Sequence, residues 1–172
     1  MLASLLGQRD DTYVSPTSNL GDILGAVVSS IMENPASVAG KWTKTELHQT
    51  LKSIVDSRYV SKPEKNIFDK GRTWPDASNM ETMTEVLGKS PKIVATVRPI
   101  AECIASFYLV DKSDLSIKQW MKESELFSHL ITSFKVLEYG YKQHPENFCI
   151  VEYSDLCKHT QRELDRVADF IG

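Results

Sequence analysis

Short apolar segments alternate with long amphipathic ones along this chain, and this alternation restricts the fold more than any other sequence feature. Residues 92–97 (KIVATV) and 148–152 (FCIVE) have the apolar composition of buried strands, and 66–69 (NIFD) predicts a third strand. Helical spacing of apolar residues predicts helices between and around them, at 19–33, 45–59, 79–87, 99–110, 124–141 and 160–171. Strands joined through helices pair in parallel by right-handed crossovers. The sequence therefore predicts an α/β fold, a three-layer parallel sheet flanked by helices, with a possible fourth strand at 12–15.

The size and composition of the chain fit a single domain over residues 1–172. A chain of 172 residues with 41% apolar and 25% charged side chains can bury a core. Apolar runs stay well short of the roughly 18–20 residues that cross a bilayer, and residues 1–7 lack the basic start of a secretory signal. We therefore expect no membrane partner.

The cysteine content indicates the cellular compartment. Cys103, Cys149 and Cys157 are an odd number of cysteines without metal-ligand spacing, and each lies within an apolar pattern. This usage predicts buried thiols in a reducing, cytoplasmic environment and no metal site.

The charge distribution argues against one class of partner and leaves another open. A net charge of −3 gives no support to a generic nucleic-acid-binding surface. Residues 58–98 nevertheless hold eight Lys or Arg against five Asp or Glu. This local excess of positive charge fits either ordinary solvated surface or an anion site.

Cationic and aromatic side chains follow the predicted strands at their carboxyl ends, where open parallel sheets bind ligands. Lys70 and Arg72 follow the first strand, Arg98 follows the second, and Tyr153 ends the third. Arg and Lys suit phosphate or sulfate, and the free N–H groups of a helix beginning after Arg98 would add to such a site. Ser106, eight residues beyond Arg98, could join it. Each residue alone is more often a surface or rim residue, but together they predict a site for a polyanionic small molecule.

The sequence Gly88-Lys89-Ser90 has the form of the end of a Walker phosphate-binding motif. That motif requires a glycine five residues before Gly88, where this chain has Met83, and a helix after it, where this chain has a strand. We therefore predict that Gly88 ends a helix, which disfavours a P-loop kinase.

Residues 92–107 (KIVATVRPIAECIASF) resemble the strand–Arg–helix–Ser segment of the sulfotransferases that use 3′-phosphoadenosine 5′-phosphosulfate (PAPS). Arg98 and Ser106 match the pair that holds the 3′-phosphate in that family. Residues 150–172 resemble the family's strand end and closing helix, with Tyr153 at the position near the adenine. Residues 68–75 (FDKGRTWP) resemble the strand end near the transferred sulfuryl group, which implies that Lys70 acts there together with Arg72.

The resemblance implies a P-loop nucleoside-kinase-like fold and sulfuryl transfer from PAPS to an acceptor hydroxyl or amine, without a metal ion. A small molecule, a carbohydrate and a protein all remain open as acceptors. Residues 1–20 are similar to the sequence that follows the family's 5′-phosphosulfate loop. We therefore expect a single sulfotransferase-like domain over 1–172.

Two departures from the family pattern bear on activity. The signature loop Gly-Leu-Pro-Arg-Ser-Gly-Ser/Thr-Thr is absent, as is the strand before it, which is central in related sheets. The chain also ends at a glycine beyond which family members continue, so we expect a domain incomplete at both ends, either as a piece of a longer protein or as a truncated relative. If the full protein contains the loop, the resemblance implies a PAPS-dependent sulfotransferase. The alternative is a catalytically incomplete nucleotide-binding or scaffold relative that retains only the 3′-phosphate half-site.

The second departure from the family pattern concerns the residue that would act as general base. Cytosolic members have a histidine two residues after the lysine, where this chain has Arg72, a guanidinium that stays protonated and cannot accept a proton. Tyrosyl-protein members use a glutamate after the second strand, where this chain has Ser15-Pro16-Thr17. Pro99 also follows Arg98 directly, whereas the family usually has Arg-Asp/Asn-Pro. The sequence therefore identifies no base.

Overall fold

The structure, a computed structural model, describes residues 1–111 and 114–172. These residues form two compact units, Met1–Pro91 and Lys92–Gly172. The single sulfotransferase-like domain expected over 1–172 stays a prediction.

Each unit contains two strands that are separated by helices. In the first unit the elements are α1 (Leu2–Leu6), β1 (Thr12–Thr17), α2 (Leu20–Glu33), α3 (Pro35–Ala39), α4 (Lys44–Tyr59), β2 (Asn66–Lys70) and α5 (Ala77–Leu87). In the second they are β3 (Ile93–Val97), α6 (Ile100–Asp111), α7 (Ile117–Glu123), α8 (Glu125–Gln143), a 3₁₀ turn (Pro145–Asn147), β4 (Phe148–Glu152), α9 (Tyr153–Lys158) and α10 (Thr160–Ile171).

The strands pair in parallel, as two short sheets. In the first unit β1 pairs with β2, and the register shifts between Val14 and Thr17, so that Thr17 lies opposite Lys70. In the second unit β3 pairs with β4 without a shift, and its last pair joins Val97 to Glu152. The predicted α/β class with parallel strands flanked by helices is confirmed, and so is the possible fourth strand, which is β1.

Helices α2, α4 and α5 pack against one another and form most of the core of the first unit. Helix α4 begins with a capping box, in which Thr43 Oγ1 accepts from the Glu46 N–H and the Glu46 carboxylate accepts from the Thr43 N–H. The apolar residues buried in this unit come from the helices and from one loop: Leu2, Leu6, Leu20, Leu24, Ile31, Leu51, Trp74, Met80, Met83 and Val86.

The core of the second unit is built on β4. The buried apolar residues are Trp120, Phe148, Cys149, Val151, Leu156 and Val167. Lys92, just before β3, holds the end of α10, because its Nζ donates to the carbonyls of Phe170 at 2.6 Å and Ile171 at 3.0 Å. These are the last carbonyls of the helix, which have no partner within the helix itself. The first strand and the last helix of the unit are thereby linked.

Two burial predictions were wrong in part. Strand β3 was expected to be buried, yet none of its residues is fully buried and Thr96 is exposed. Its only strand partner in the described residues is β4. Of the three thiols only Cys149 is buried; Cys103 is half-buried, and Cys157 is exposed in α9, which instead buries Leu156.

Gly88 ends α5 in the left-handed conformation, with φ of 67°, as predicted. A Cβ at this position would meet no atom within 4 Å, so a substitution is opposed by the backbone conformation alone. We expect Gly88→Ala to lower the free energy of unfolding by about 1 kcal/mol, measured by urea denaturation. Gly25→Ala in the interior of α2 is the matched control, because its Cβ would meet only Asn79 Oδ1 at 3.8 Å. This control should raise stability by up to about 1 kcal/mol, and equal signs for the two variants would contradict the prediction.

Candidate functional site

The first group of predicted site residues follows β2 in the first unit. Lys70 is the last residue of the strand and Arg72 lies in the loop after it, and both side chains are exposed. The backbone at Lys70 is held on both sides: its N–H donates to Ser15 Oγ at 2.8 Å, and its carbonyl accepts from the Ser18 N–H at 2.7 Å. Within the described residues neither Lys70 nor Arg72 has an ion-pair partner, so both cations are available to an anion.

Asp69, next to Lys70 in β2, has a half-buried carboxylate, and both of its oxygens accept hydrogen bonds from side chains of the protein. Its Oδ1 accepts from the Trp74 indole N–H at 2.7 Å, and its Oδ2 accepts from the Tyr59 hydroxyl. Burial, and then the hydrogen bond to Asp69, raise the pKa of Tyr59 far above its usual value. The Tyr59 hydroxyl therefore stays protonated and donates at all physiological pH values.

The second group of predicted site residues lies at the carboxyl ends of β3 and β4. Because Val97 pairs with Glu152, the next residues along both strands, Arg98 and Tyr153, come together. The Arg98 guanidinium lies over the Tyr153 ring, 5.5 Å from its centre, within cation–π range. Its Nη2 also lies 3.4 Å from the Glu102 carboxylate. The parallel register thus places a cation and an aromatic face side by side.

Ser106 lies in α6, four residues after Glu102 and therefore on the same helix face. It is half-buried, and its hydroxyl has no hydrogen-bond partner among the residues that the structure describes. Helix α6 begins at Ile100, directly after Arg98-Pro99, so its first free N–H groups lie next to the arginine. The structure therefore places Arg98 and Tyr153 together and Ser106 on the helix that starts beside them.

Sequence reasoning missed two acidic residues, Glu102 and Asp69. Glu102 lies four residues after Arg98, and this spacing, which favours ion pairs in helices, was the available signal. Asp69 carried no such signal, because its partners lie ten residues before it and five after it and meet it only in the folded unit.

A buried carboxylate on α10 pairs with an arginine that bonds to β4. Glu163 is only 4% exposed and pairs with Arg166 at 2.6 Å and Arg162 at 2.9 Å. Arg166 in turn donates to the carbonyl of Ile150 in β4, at 2.6 Å. The hydrogen bond from Arg166, with a smaller contribution from Arg162, lowers the pKa of Glu163 below its usual range.

This ion pair predicts a dependence of stability on pH. Since the pKa of Glu163 is lowered on folding, its contribution is complete above the usual glutamate pKa and is lost as the pH falls toward the lowered value. We expect the melting temperature of Glu163→Gln to be lower than that of the wild type at pH 7 and to fall less steeply below about pH 5. Glu123→Gln, at an exposed position, is the control and should behave as the wild type does. Parallel pH profiles for the wild type and Glu163→Gln would contradict this expectation.

Other features of the described residues lie outside the predicted site. A groove of about 560 Å³ runs along α4 beside Trp42, and none of the predicted site residues lines it. Within the described parts of the chain, no three His, Cys, Asp or Glu side chains are grouped so that they could hold a metal ion. None of the described helices combines the length and the apolar character needed to span a bilayer. The cytoplasmic location stays a prediction.

A family model described as the sulfotransferase domain matches residues 22–172. A search of curated proteins found no significant match. The family match spans most of the chain and includes every predicted site residue: Lys70, Arg72, Arg98, Ser106 and Tyr153. This chain therefore belongs to the sulfotransferase domain family.

Proposed function

We propose that this protein transfers a sulfuryl group from PAPS to a hydroxyl or amine of an acceptor. The observation that carries the proposal is the contact between Arg98 and Tyr153 at the paired strand ends, in a chain of the sulfotransferase family. A phosphorylated adenine nucleotide needs both a cation and an aromatic face, and these two residues offer them within 5.5 Å of each other.

The chemistry of the residues in the second unit fits the nucleotide half of PAPS. Arg98 and Ser106 would hold the 3′-phosphate, the guanidinium by paired hydrogen bonds and the hydroxyl by a single one. The first N–H groups of α6 would add donors and a partial positive charge. Tyr153, 39% exposed, would present its ring to the adenine.

The residues after β2 would act on the reacting end of PAPS. In the transfer, the acceptor oxygen or nitrogen forms a bond to sulfur while the bond from sulfur to the 5′-phosphate oxygen breaks. The acceptor's proton passes to water, and adenosine 3′,5′-bisphosphate leaves with the bonding electron pair. Lys70, with Arg72, would stabilise the negative charge that gathers on the sulfuryl and phosphate oxygens.

The alternative is a second function, because the contact between Arg98 and Tyr153 lies within the second unit and needs none of the residues after β2. The second function is nucleotide binding or scaffolding through the 3′-phosphate half-site alone.

Two measurements on the same purified chain distinguish these functions. The first is calorimetric titration with adenosine 3′,5′-bisphosphate. The second is transfer from radiolabelled PAPS to a phenol, an oligosaccharide and a tyrosine peptide as acceptors. Binding together with transfer supports the first function and identifies the acceptor class. Binding without transfer supports the second function, whereas an absence of binding overturns both.

A further inference from the structure

Hydrogen bonds to backbone atoms hold the loop after β2, Lys70–Thr73, in place. The charged groups of its two cationic side chains are not needed for these bonds. At its start the Lys70 backbone bonds to Ser15 and Ser18. At its end the Thr73 carbonyl accepts from the Asn79 side-chain amide at 2.9 Å and from the Asp76 N–H at 3.0 Å. The charged ends of Lys70 and Arg72 take no part in these bonds.

Asp69 closes this loop by joining its two ends. The carboxylate belongs to the strand before the loop, and Trp74 follows the loop, so the indole-to-carboxylate bond of 2.7 Å spans all the residues between them. Tyr59 at the end of α4 donates to the second carboxylate oxygen and thereby ties the helix to the same point. Below, Tyr59, Asp69 and Trp74 are called the clamp.

The loop packs directly against the clamp. A Cβ on Gly71 would lie 3.1 Å from Trp74 Cδ1 and 3.2 Å from its Nε1, so a side chain here would require the indole to shift by a few tenths of an ångström. Trp74 is 9% exposed and Asn79 is 8% exposed, which makes an unsatisfied polar group here costly. Loss of one clamp bond should therefore loosen the loop.

We propose that Tyr59, Asp69 and Trp74 are positioning residues that hold the Lys70–Thr73 backbone, so that Lys70 and Arg72 meet the sulfuryl end of the donor in a fixed place. This inference rests on the proposed function. A fixed backbone reduces the ordering cost when the anion binds and keeps the charges aligned with the reacting atoms. The clamp residues themselves do not touch the donor.

Tyr59→Phe is the most selective test, because it removes one hydroxyl and keeps the ring contact with Tyr13. Trp74→Phe, which removes the indole donor, is the second variant. Tyr139→Phe is the matched control, since that hydroxyl is on an exposed residue and has no partner in the described part of the chain. The N–H of Lys70 bonds to Ser15 Oγ and the N–H of Asp76 bonds to the Thr73 carbonyl, one at each end of the loop. We expect both clamp variants to speed hydrogen exchange at these two amides and to lower kcat with PAPS, each by about tenfold. Tyr139→Phe should change neither.

Lys70→Met separates positioning from charge, because it should lower kcat by about 10²–10³-fold while leaving the amide exchange at residues 70 and 76 unchanged. Exchange in the clamp variants equal to that of the wild type would overturn the inference. So would faster exchange accompanied by an unchanged kcat. Absence of transfer by the wild type is a different result, which contradicts the proposed function and is seen before any variant is made.

Discussion

Replacement of Lys70 by methionine is expected to lower kcat for sulfuryl transfer from PAPS by about 10²–10³-fold. The side chain stays unbranched, becomes one atom shorter and loses its charge. Lys70 is exposed and has no ion-pair partner in the described residues, so its loss leaves no other charge unpaired in the folded protein. The effect should therefore fall on the transition state and not on folding.

Lys65→Met is the matched control for this prediction, because Lys65 is an exposed lysine just before β2. Its kcat should equal that of the wild type, and the melting temperatures of both variants should stay close to the wild-type value. Initial rates with radiolabelled PAPS at saturating acceptor give kcat directly. A Lys70→Met enzyme that turns over as fast as Lys65→Met would exclude Lys70 from the reaction.

Most of the secondary structure could be predicted because the apolar periodicity is strong. Strand 92–97 and helix 160–171 differ from the observed elements by one residue or none. Helix α5 begins two residues earlier than predicted, because the Asp76 side chain caps it by accepting from the Ser78 N–H. Helix α7 was missed, since seven residues hold too little of the 3.6-residue period to stand out.

The environment of β3 could not be predicted from composition. An apolar strand is buried on both faces only when helices and neighbouring strands cover it, and composition does not show which partners are present. In the described residues β3 has one strand partner, and Thr96 stays exposed. Burial of the strand therefore depends on which helices and strands pack against it, whereas the formation of the strand follows from its β-branched residues.

In the candidate site, too, some contacts could be predicted from the sequence and others could not. The meeting of Arg98 and Tyr153 follows from parallel pairing alone, since each residue comes directly after a strand and the strands end in register. The contacts of Asp69 depend instead on how α4 and the loop after β2 pack, which no local pattern encodes. Sequence thus indicates which cations are present, and the folded unit determines what holds them.

Replacement of Arg98 by alanine is expected to weaken the binding of adenosine 3′,5′-bisphosphate by about 10–150-fold, the effect of one charged hydrogen-bonding group. Arg98→Lys should fall between the wild type and alanine, because it keeps the charge but loses the planar fork. Ser106→Ala should weaken binding by less, about tenfold at most, because it removes one neutral hydroxyl. Calorimetric titration at fixed ionic strength measures all three.

Replacement of Glu102 by glutamine is expected to have the opposite effect on nucleotide affinity, which makes the prediction for Arg98 specific. The Glu102 carboxylate lies 3.4 Å from Arg98 and competes with a bound phosphate for the same guanidinium. Both side chains are more than a third exposed, so the competition is screened and modest. Glu102→Gln should therefore strengthen binding about two- to fivefold, and less so at high salt. If Arg98 were only a surface partner of Glu102, neither substitution would change the affinity. Opposite shifts for Arg98→Ala and Glu102→Gln are thus the result that assigns a phosphate of the nucleotide to Arg98.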